Sequence, residues 1–292
     1  MSSSINLTLV VLNRGRSINR GGFFERLLDL GFADVLSVEN AGSHYDVESL
    51  SQAHRDVRFL LLRRQTSLGE QVNVSMQEAR GHFVYVIWND MKVSGLSDAM
   101  QNALRARNYL CTAPLVRNQK SELLPTAMAP AFYRSRLKVL PLVPAYTGTP
   151  TLYPYDYVGI YNREQFVFSG GYDHRILSPY WQKLDFGFRA HMWGYTVHVD
   201  PQLLVSSAHA PVEDATPEES YKRFFLKNLS VRFSADQADL PVSRFPAFAL
   251  KTGGGLYRSW RLFREVQNWV RENRYRFKQD ARRVTELWEA ER

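Results

Sequence analysis

An acidic residue follows a short, wholly apolar run in the first third of the chain. Residues 83–87 are all apolar, and after Trp88 the sequence turns polar at Asn89 and Asp90. An apolar run of this length predicts a strand that is buried on both faces of a parallel sheet. Ligands of open α/β sheets bind outside the carboxyl ends of such strands, so we expect Asp90 to meet a substrate or a metal.

A second carboxylate stands at the end of an earlier apolar run. Residues 35–38 predict a strand, and the polar stretch that begins at Glu39 ends it. A carboxylate at a strand tip can accept hydrogen bonds from the N–H of a base or from ribose hydroxyls. Glu39, Asn13 and Asn73 are also residue types that turns and surfaces use, so the residues alone leave both interpretations open.

The elements around these residues alternate between strand and helix. Such alternation predicts right-handed βαβ units, an α/β fold and a mainly parallel sheet. The helical pattern before the run at residues 83–87 stops near Gly81, which we expect to act as a C-cap. The expected strands are 7–12, 35–38, 58–62, 83–87, 137–143 and 203–207, and the first expected helices are 23–30 and 68–79.

Composition and charge limit the class of protein. The 292 residues carry a net charge of +8, and residues 251–292 hold much of the surplus, with 11 Lys and Arg against 6 Asp and Glu. No apolar run reaches the ~20 residues of a membrane-spanning helix, and the start lacks a basic segment before its apolar run. The single cysteine, Cys111, suits a reducing compartment. We therefore expect a soluble, cytoplasmic protein.

Several common nucleotide-binding and nucleic-acid-binding classes lack their sequence signals here. The chain contains neither a GxGxxG dinucleotide fingerprint nor a GxxxxGK[ST] phosphate loop. This lowers the expectation of a Rossmann oxidoreductase or an NTPase. The basic surplus comes with no recognised nucleic-acid-binding motif, so we expect no nucleic-acid partner.

The arrangement of helix, glycine, buried strand and acidic tip resembles the centre of the family-2 glycosyltransferases, nucleotide-sugar enzymes of the GT-A fold. In that family the strand ends in D-x-D, and the matching tripeptide here is Trp88-Asn89-Asp90, with Trp in place of the first carboxylate. The resemblance implies a Rossmann-like, mainly parallel mixed sheet flanked by helices. It also implies that Asp90 helps to hold a divalent cation, Mn or Mg, that bridges the donor's diphosphate.

The first half of the chain resembles the nucleotide-binding half of that family. Its first strand ends in Asn13-Arg14, and residues 39–43 match the family's acidic D-D-G-S loop with one extra residue and Glu for the first Asp. A Gly and an Asn of the following helix also match. The resemblance implies that the donor is bound by Asn13, Arg14, Glu39, Gly69, Asn73, Asn89 and Asp90.

The second half carries a G-G-[FY]-D turn and a helix that resembles the family's catalytic helix. The turn is residues 170–173, and Asp185, Arg189 and the pair at residues 194–195 match at the family's spacing. The family's E-D pair, which usually supplies the catalytic base, is replaced by Gln182-Lys183.

Asp185 is our candidate for the base that removes the acceptor's proton, with Asp173 and Asp156 in reserve. Asp185 and Arg189 are four residues apart, so an ion pair that braces the helix is an equal alternative.

Two further features bear on metal and sugar binding. His209 follows the β-like run 203–207, and the resemblance implies that it completes the metal site with Asp90. A lone histidine is otherwise usually structural or exposed to solvent. Trp88 and Trp181, with Asp173, are candidates for a sugar or acceptor platform, and the alternative for Trp88 is that it fills the end of the sheet.

The last part of the chain predicts a basic amphipathic helix. Apolar residues recur every seven positions after a glycine-rich joint at residues 253–255, with interruptions at Gln267 and Arg274. Such a stripe can pack on the domain, form a homodimer, or contact a membrane surface. The stripe consists of Leu256, Phe263, Val270, Phe277 and Val284, with Trp260, Ala281 and Trp288 beside it.

These expectations describe an enzyme with one catalytic domain and a tail. We expect residues 5–247 to form the GT-A domain and residues 248–292 to form the basic helical tail. The predicted reaction moves a sugar from a nucleotide-diphosphate-sugar donor to a hydroxyl of a glycan or other acceptor, with a divalent cation assisting. Two alternatives stay open: an inactive relative that binds nucleotide sugar or glycan, and a scaffold that acts through its tail.

Overall fold

The chain divides into two compact units. A computed structural model describes residues 5–15, 19–42, 46–133, 136–145, 147–208, 213–252 and 255–290. The sheet unit comprises Met1–Ala129, Pro141–Gly171 and Thr196–Val212. The helical unit comprises Pro130–Leu140, Tyr172–Tyr195 and Glu213–Arg292.

Strands and helices alternate through the first part of the chain, and helices dominate the last part. The strands are β1 (Leu7–Leu12), β2 (Val35–Glu39), β3 (Val57–Leu61), β4 (Phe83–Trp88), β5 (Met91–Val93), β6 (Cys111–Arg117), β7 (Ala127–Tyr133), β8 (Arg136–Leu142), β9 (Thr149–Pro150), β10 (Gly159–Asn162), β11 (Val197–Ser207), β12 (Arg232–Ser234) and β13 (Gln237–Asp239). The helices are α1 (Arg20–Asp29), α2 (Val47–Ala53), α3 (Leu68–Glu78), α4 (Asp98–Ala106), α5 (Arg163–Phe168), α6 (Pro179–Met192), α7 (Glu219–Phe224), α8 (Phe245–Thr252), α9 (Leu256–Asn273) and α10 (Ala281–Ala290).

The sheet unit is built on a mixed sheet with the strand order β3-β2-β1-β4-β10-β6-β11-β5, to which β9 adds by pairing with β11. Strands β1 to β4 run parallel to one another, and β6 runs parallel to β11. Strand β10 is antiparallel to both β4 and β6, and it joins these two parallel groups. The predicted α/β fold with a mainly parallel sheet is confirmed.

Strands β1 and β4 form the centre of this sheet because their residues are apolar on both faces. All six residues of β4 are buried, as are five of the six in β1. In the register of the sheet, Leu12 lies opposite Val38 on one side and Trp88 on the other. The residues that follow these three positions therefore come out at the same edge of the sheet.

Gly81 has a different role from the predicted helix cap. Helix α3 ends at Glu78, and its C-cap is Ala79 in an extended conformation. A Cβ atom at Gly81 would lie 2.5 Å from the backbone nitrogen of Thr8 and 2.7 Å from the carbonyl oxygen of Phe83. The glycine is required because two backbone segments approach it closely, so the C-cap prediction is wrong.

The predicted tail helix is two helices, α9 and α10, and the apolar stripe packs within the helical unit. From Phe263 onward the stripe is buried, whereas Leu256 is 71% exposed and Trp260 is 38% exposed. The tail lies in the same compact unit as residues 213–247, and the domain boundary at residue 247 stays a prediction. Among the helices in the described ranges, none combines the length and the apolarity needed to cross a membrane.

Candidate functional site

Polar side chains gather in two hydrogen-bonded groups that follow β1, β2 and β4. Because these strands are parallel and in register, their carboxyl ends lie at one edge of the sheet. The first, the Glu39 group, comprises Asn13, Arg20, Ser37, Glu39 and Asp46. The second, the Asp90 group, comprises Arg14, Trp88, Asp90 and Asp156.

The Glu39 carboxylate is fully buried and is held through one of its two oxygens. Its Oε1 accepts hydrogen bonds from Ser37 Oγ at 2.6 Å, from Asn13 Nδ2 at 3.2 Å and from Arg20 Nη2. Arg20 also donates from Nη1 to Asp46 Oδ1 at 2.6 Å. This set holds the Glu39 side chain in one position at the end of β2.

Two acceptor oxygens of the Glu39 group are buried and unsatisfied. Within the described part of the chain, neither Glu39 Oε2 nor Asn13 Oδ1 has a hydrogen-bond partner. A buried acceptor without a donor costs about 1–3 kcal/mol, and more when it is charged. Both atoms can accept from the N–H groups of a ligand, which is the chemistry that a nucleobase edge offers.

In the Asp90 group, one guanidinium binds two carboxylates. Arg14 donates from Nε to Asp90 Oδ2 at 3.1 Å and from Nη2 to Asp90 Oδ1 at 2.9 Å. Its Nη1 donates to Asp156 Oδ2 at 2.6 Å. Both oxygens of Asp90 are therefore bonded to the same side chain, in the bidentate geometry that guanidinium and carboxylate prefer.

Trp88 and Asn89 hold Arg14 in this position. The Arg14 guanidinium carbon lies 4.4 Å from the centre of the Trp88 ring. Asn89 Oδ1 accepts from the Arg14 backbone N–H at 3.2 Å. Trp88 is buried, and its indole N–H donates to the carbonyl oxygen of Asp156 at 3.0 Å. The tryptophan thus fills the end of the sheet and supports the arginine; a sugar-stacking role for it stays a prediction.

Asp156 is in a backbone conformation that few residues adopt. Asp156 and Tyr157 have φ values of +50° and +65°, both in the left-handed region. Non-glycine residues occupy this region rarely and often near functional sites. The bond from Trp88 and the ion pair with Arg14 hold Asp156 there.

The described residues include one of the two predicted ligands of the divalent cation, Asp90. They contain no group of three His, Cys, Asp or Glu side chains that could hold a metal. The carboxylate that the metal prediction requires, Asp90, has both oxygens bonded to Arg14. The second predicted ligand, His209, lies outside the described residues.

The two predicted donor-binding residues of α3 lie within the sheet unit. Gly69 is buried in the first turn of the helix. Asn73 lies against Gly171, where a Cβ would come within 2.6 Å of the Asn73 Oδ1 atom. Gly171 has a φ of +59°, so both its conformation and this close approach require glycine. Donor contacts of Gly69 and Asn73 stay predictions.

In the helical unit, the predicted base Asp185 belongs to a buried charged cluster. Its Oδ2 accepts from Lys227 Nζ at 2.9 Å, and its Oδ1 accepts from Asn228 Nδ2 at 2.9 Å. The alternative ion pair with Arg189 is also present, at 3.5 Å. Asp185 has no exposed surface in this structure. Its role as the base stays a prediction.

Asp173 belongs to the same cluster. Lys227 Nζ donates to Asp173 Oδ2 at 2.8 Å, and Arg223 Nε donates to the same oxygen at 2.7 Å. Burial alone would raise the pKa of the Asp173 carboxyl, but the charges and hydrogen bonds of Lys227 and Arg223 outweigh this effect. The net result holds the pKa of Asp173 well below its usual range, so the residue is a carboxylate at neutral pH.

The remaining residues predicted on α6 are buried and bonded. Trp181 is 7% exposed, donates from its indole N–H to Thr216 O at 3.0 Å and packs against the Phe224 ring. Gln182 donates to Asp173 O at 3.0 Å. Lys183, which replaces the second acid of the family's E-D pair, is ion-paired with Glu213. The platform role of Trp181 stays a prediction.

Comparison with known proteins gives matches among solved structures alone, since no family model and no curated protein matches the sequence. The crystal structure of GalNAc-T7 with UDP, GalNAc and Mn²⁺ superimposes with a TM-score of 0.57 at 11% identity, over 94% of this chain and 58% of that one. Staphylococcus aureus TarS 1–349 in complex with UDP-GlcNAc gives a TM-score of 0.51 at 12% identity, over 90% of this chain and 72% of that one. Both are GT-A glycosyltransferases. The chain has the GT-A fold.

Two residues of these polar groups, Arg20 and Lys227, were not predicted from the sequence. Arg20 bonds Glu39 from 19 positions away, and Lys227 bonds Asp185 from 42 positions away. Arginines and lysines on helices are common, so their type and spacing carry no signal for such pairs. For Lys227 a signal exists only in the backbone: it lies in the π-helical turn Phe225–Leu229, and such turns are frequent at functional sites.

Proposed function

We propose that this chain transfers a sugar from a nucleotide-diphosphate sugar to a hydroxyl acceptor. The GT-A fold supports the proposal, because the two solved structures of similar fold contain UDP or UDP-GlcNAc. GalNAc-T7 and TarS are different proteins at 11% and 12% identity, and the chain spans 58% of the GalNAc-T7 chain. Nucleotide binding by this chain therefore depends on its own residues.

The observation that carries the proposal is the pair of unsatisfied acceptors, Glu39 Oε2 and Asn13 Oδ1. Both are buried at the sheet edge where ligands of α/β proteins bind, and neither has a partner in the described residues. Each of these atoms can accept a hydrogen bond from a nucleobase N–H. Arg20 and Ser37 hold Glu39 in place before the ligand arrives, which reduces the entropy lost on binding.

In the proposed reaction, the acceptor's hydroxyl oxygen forms a bond to the anomeric carbon of the donor sugar. The bond from that carbon to the diphosphate oxygen breaks, and the nucleoside diphosphate leaves. The acceptor's proton passes to a carboxylate, which the family resemblance assigns to Asp185. The bonds from Lys227 and Asn228 to Asp185 give this assignment a specific test.

The expected divalent cation is not carried into this proposal. Manganese accompanies UDP in the GalNAc-T7 structure, and this supports cation use by that protein. In this chain the predicted cation ligand, Asp90, has both oxygens bonded to Arg14. No step of the proposed reaction is therefore assigned to a cation.

A thermal-shift panel of nucleoside diphosphates tests the proposed function. UDP, GDP, ADP, CDP and TDP would each be added to the full chain, once with EDTA and once with MnCl₂. We expect one base to raise the melting temperature well above the others, because the fixed acceptors at Glu39 and Asn13 favour one pattern of base N–H groups. The absence of any shift at millimolar nucleotide would overturn the proposal.

We also propose that the corner between α8 and α9 contacts an anionic lipid surface. Leu250, Leu256 and Tyr257 are 86%, 71% and 81% exposed. Residues 241–264 contain five Lys and Arg and no Asp or Glu. Exposed aliphatic and aromatic side chains among basic ones suit the headgroup region of an anionic membrane. This contact would hold the enzyme at a membrane surface; a homodimer through the same residues is the competing outcome of the test.

A further inference from the structure

Arg14 binds the carboxylate that the metal prediction requires, Asp90. Its guanidinium binds both oxygens of Asp90 and one oxygen of Asp156, at 2.6–3.1 Å. The Asp90 oxygens are the ligands that the predicted cation site offers to a hard cation such as Mn²⁺. The arginine and a cation at Asp90 therefore exclude each other.

The replacement of the first D-x-D carboxylate by Trp88 agrees with this arrangement. The Trp88 ring lies 4.4 Å from the guanidinium carbon of Arg14, within the range of a cation–π contact. A carboxylate at position 88 would add a metal ligand, whereas an indole adds a face on which a guanidinium can rest. Its N–H also fixes Asp156, the second carboxylate that Arg14 binds. Residues 14, 88 and 156 thus suit a bound arginine better than a bound metal.

The guanidinium also keeps capacity for a further ligand. It has five N–H groups, and three hydrogen bonds join it to Asp90 and Asp156. The side chain of Arg14 is 19% exposed and that of Asp90 is 28% exposed, so the group is open on one side. Within the described ranges, two of its N–H groups have no hydrogen bond and remain for phosphate oxygens.

We propose that the Arg14 guanidinium replaces the divalent cation in this chain, holding Asp90 and Asp156 and offering its remaining N–H groups to the donor's diphosphate. This inference rests on the proposed function for its ligand. The first part of the inference, that no cation binds at Asp90, does not depend on the proposed function. One guanidinium between two carboxylates leaves a formal charge of −1, whereas a divalent cation would leave none. We therefore expect donor binding by this chain to be weak and independent of metal.

Binding of Mn²⁺ alone tests the first part, with no nucleotide present. The free Mn²⁺ signal in electron paramagnetic resonance would be followed during titration of the wild type, Arg14→Met, Asp90→Asn and the control Arg64→Met. Arg64 is also ion-paired, to Glu70, but its side chain is 70% exposed. We expect weak Mn²⁺ binding by the wild type that Asp90→Asn leaves unchanged. Arg14→Met should bind Mn²⁺ at least tenfold more tightly, because it removes the arginine from both oxygens of Asp90, and Arg64→Met should match the wild type.

Nucleotide binding tests the second part. The nucleoside diphosphate that gives the largest thermal shift would be titrated by calorimetry, in EDTA and in MnCl₂. We expect the wild-type Kd to agree within twofold in the two buffers. For Arg14→Met we expect a loss of at least tenfold in EDTA that MnCl₂ restores, since the metal can then enter the vacated position.

Two results would overturn the inference. One is tight Mn²⁺ binding by the wild type that Asp90→Asn abolishes, and this result does not depend on whether Arg14→Met folds. The other is a wild-type nucleotide Kd that improves tenfold or more with MnCl₂. If the wild type binds no nucleotide in either buffer, the proposed function fails, and the Mn²⁺ titration still decides the role of Arg14 at Asp90.

Discussion

Asn13 and Glu39 lie on neighbouring strand ends, 3.2 Å apart from Nδ2 to Oε1, and each keeps one further oxygen that is buried and unsatisfied among the described residues. The bond between them fixes both side chains, so each remaining oxygen is held in place as an acceptor. The proposed nucleotide site rests on this relationship.

Gly81 gives a prediction about stability that depends on packing alone. A Cβ there would lie 2.5 Å from Thr8 N and 2.7 Å from Phe83 O, both backbone atoms that cannot rotate away. We expect Gly81→Ala to lower the free energy of unfolding by about 1–3 kcal/mol, the usual cost of overpacking. Urea denaturation measures this value. The matched control is Gly255→Ala, where a Cβ meets nothing within 4 Å; equal stability of the two variants would contradict the close approach.

The sheet could be predicted from the sequence because each central strand has its own apolar run. Strand β1 has the predicted bounds, and β4 extends the prediction by Trp88 alone. The parallel order then places Asn13, Glu39 and Asp90 at one edge. The role of Gly81 could not be predicted, because it depends on Thr8, a residue 73 positions away that the fold brings alongside.

The charged pairs of the site were also beyond sequence reasoning. Arg14 reaches Asp90 across 76 positions and Asp156 across 142 positions. A carboxylate at a strand tip can bind a metal or an arginine equally well. Only the three-dimensional structure shows which of the two partners lies beside it. The apolar stripe of the tail was recognised, but its burial depends on which face the rest of the helical unit covers.

Asp185 provides a test of the catalytic step. If Asp185 is the base, Asp185→Asn should lower kcat by about 10²–10⁴-fold while the donor Kd stays unchanged. The control is Lys227→Met, which breaks the same buried ion pair but keeps the carboxylate. Single-turnover sugar transfer and thermal melts should be measured for both. If both variants lose activity and stability to the same extent, Asp185 only braces the helix.

The cluster around Asp173 predicts a loss of stability in acid. The folded state holds the pKa of Asp173 below its usual value of about 4. The stabilising contribution of this carboxylate is therefore complete above about pH 4 and is lost as the pH falls below it. We expect the free energy of unfolding to decrease in that range for the wild type and to decrease less for Asp173→Asn. Urea denaturation from pH 6 to pH 2 measures, for each protein, the slope of the free energy of unfolding against pH, called here the acid slope.

The control for this experiment is Asp236→Asn, which removes an exposed carboxyl in the turn between β12 and β13. It should leave the acid slope unchanged. At pH 7 we expect Asp173→Asn to be less stable than the wild type, because Arg223 and Lys227 each lose a buried partner. An acid slope in Asp173→Asn equal to that of the wild type would contradict the lowered pKa.

The proposed lipid contact has a closely matched pair of leucines. Leu256 is 71% exposed in the basic corner, and Leu177 is 70% exposed elsewhere in the helical unit. We expect Leu256→Ser to lower the fraction of protein that co-sediments with phosphatidylglycerol vesicles several-fold. Leu177→Ser should leave this fraction unchanged. Binding should also weaken with added salt and be absent with neutral phosphatidylcholine. A concentration-dependent dimer in light scattering that Leu256→Ser abolishes, without vesicle binding, would favour a second copy as the partner.

The central claim is that the Glu39 group binds the base of a nucleotide. It is tested most directly by calorimetric titration of the preferred nucleoside diphosphate into the wild type, Glu39→Gln and Glu48→Gln. Glu39→Gln puts an amide where the base needs an acceptor, so we predict a Kd weaker by about 10–100-fold, as for loss of a hydrogen bond to a charged group. Glu48 lies exposed on α2, and its variant, which makes the same change of charge, should bind like the wild type. Unchanged affinity in a folded Glu39→Gln variant would contradict the account.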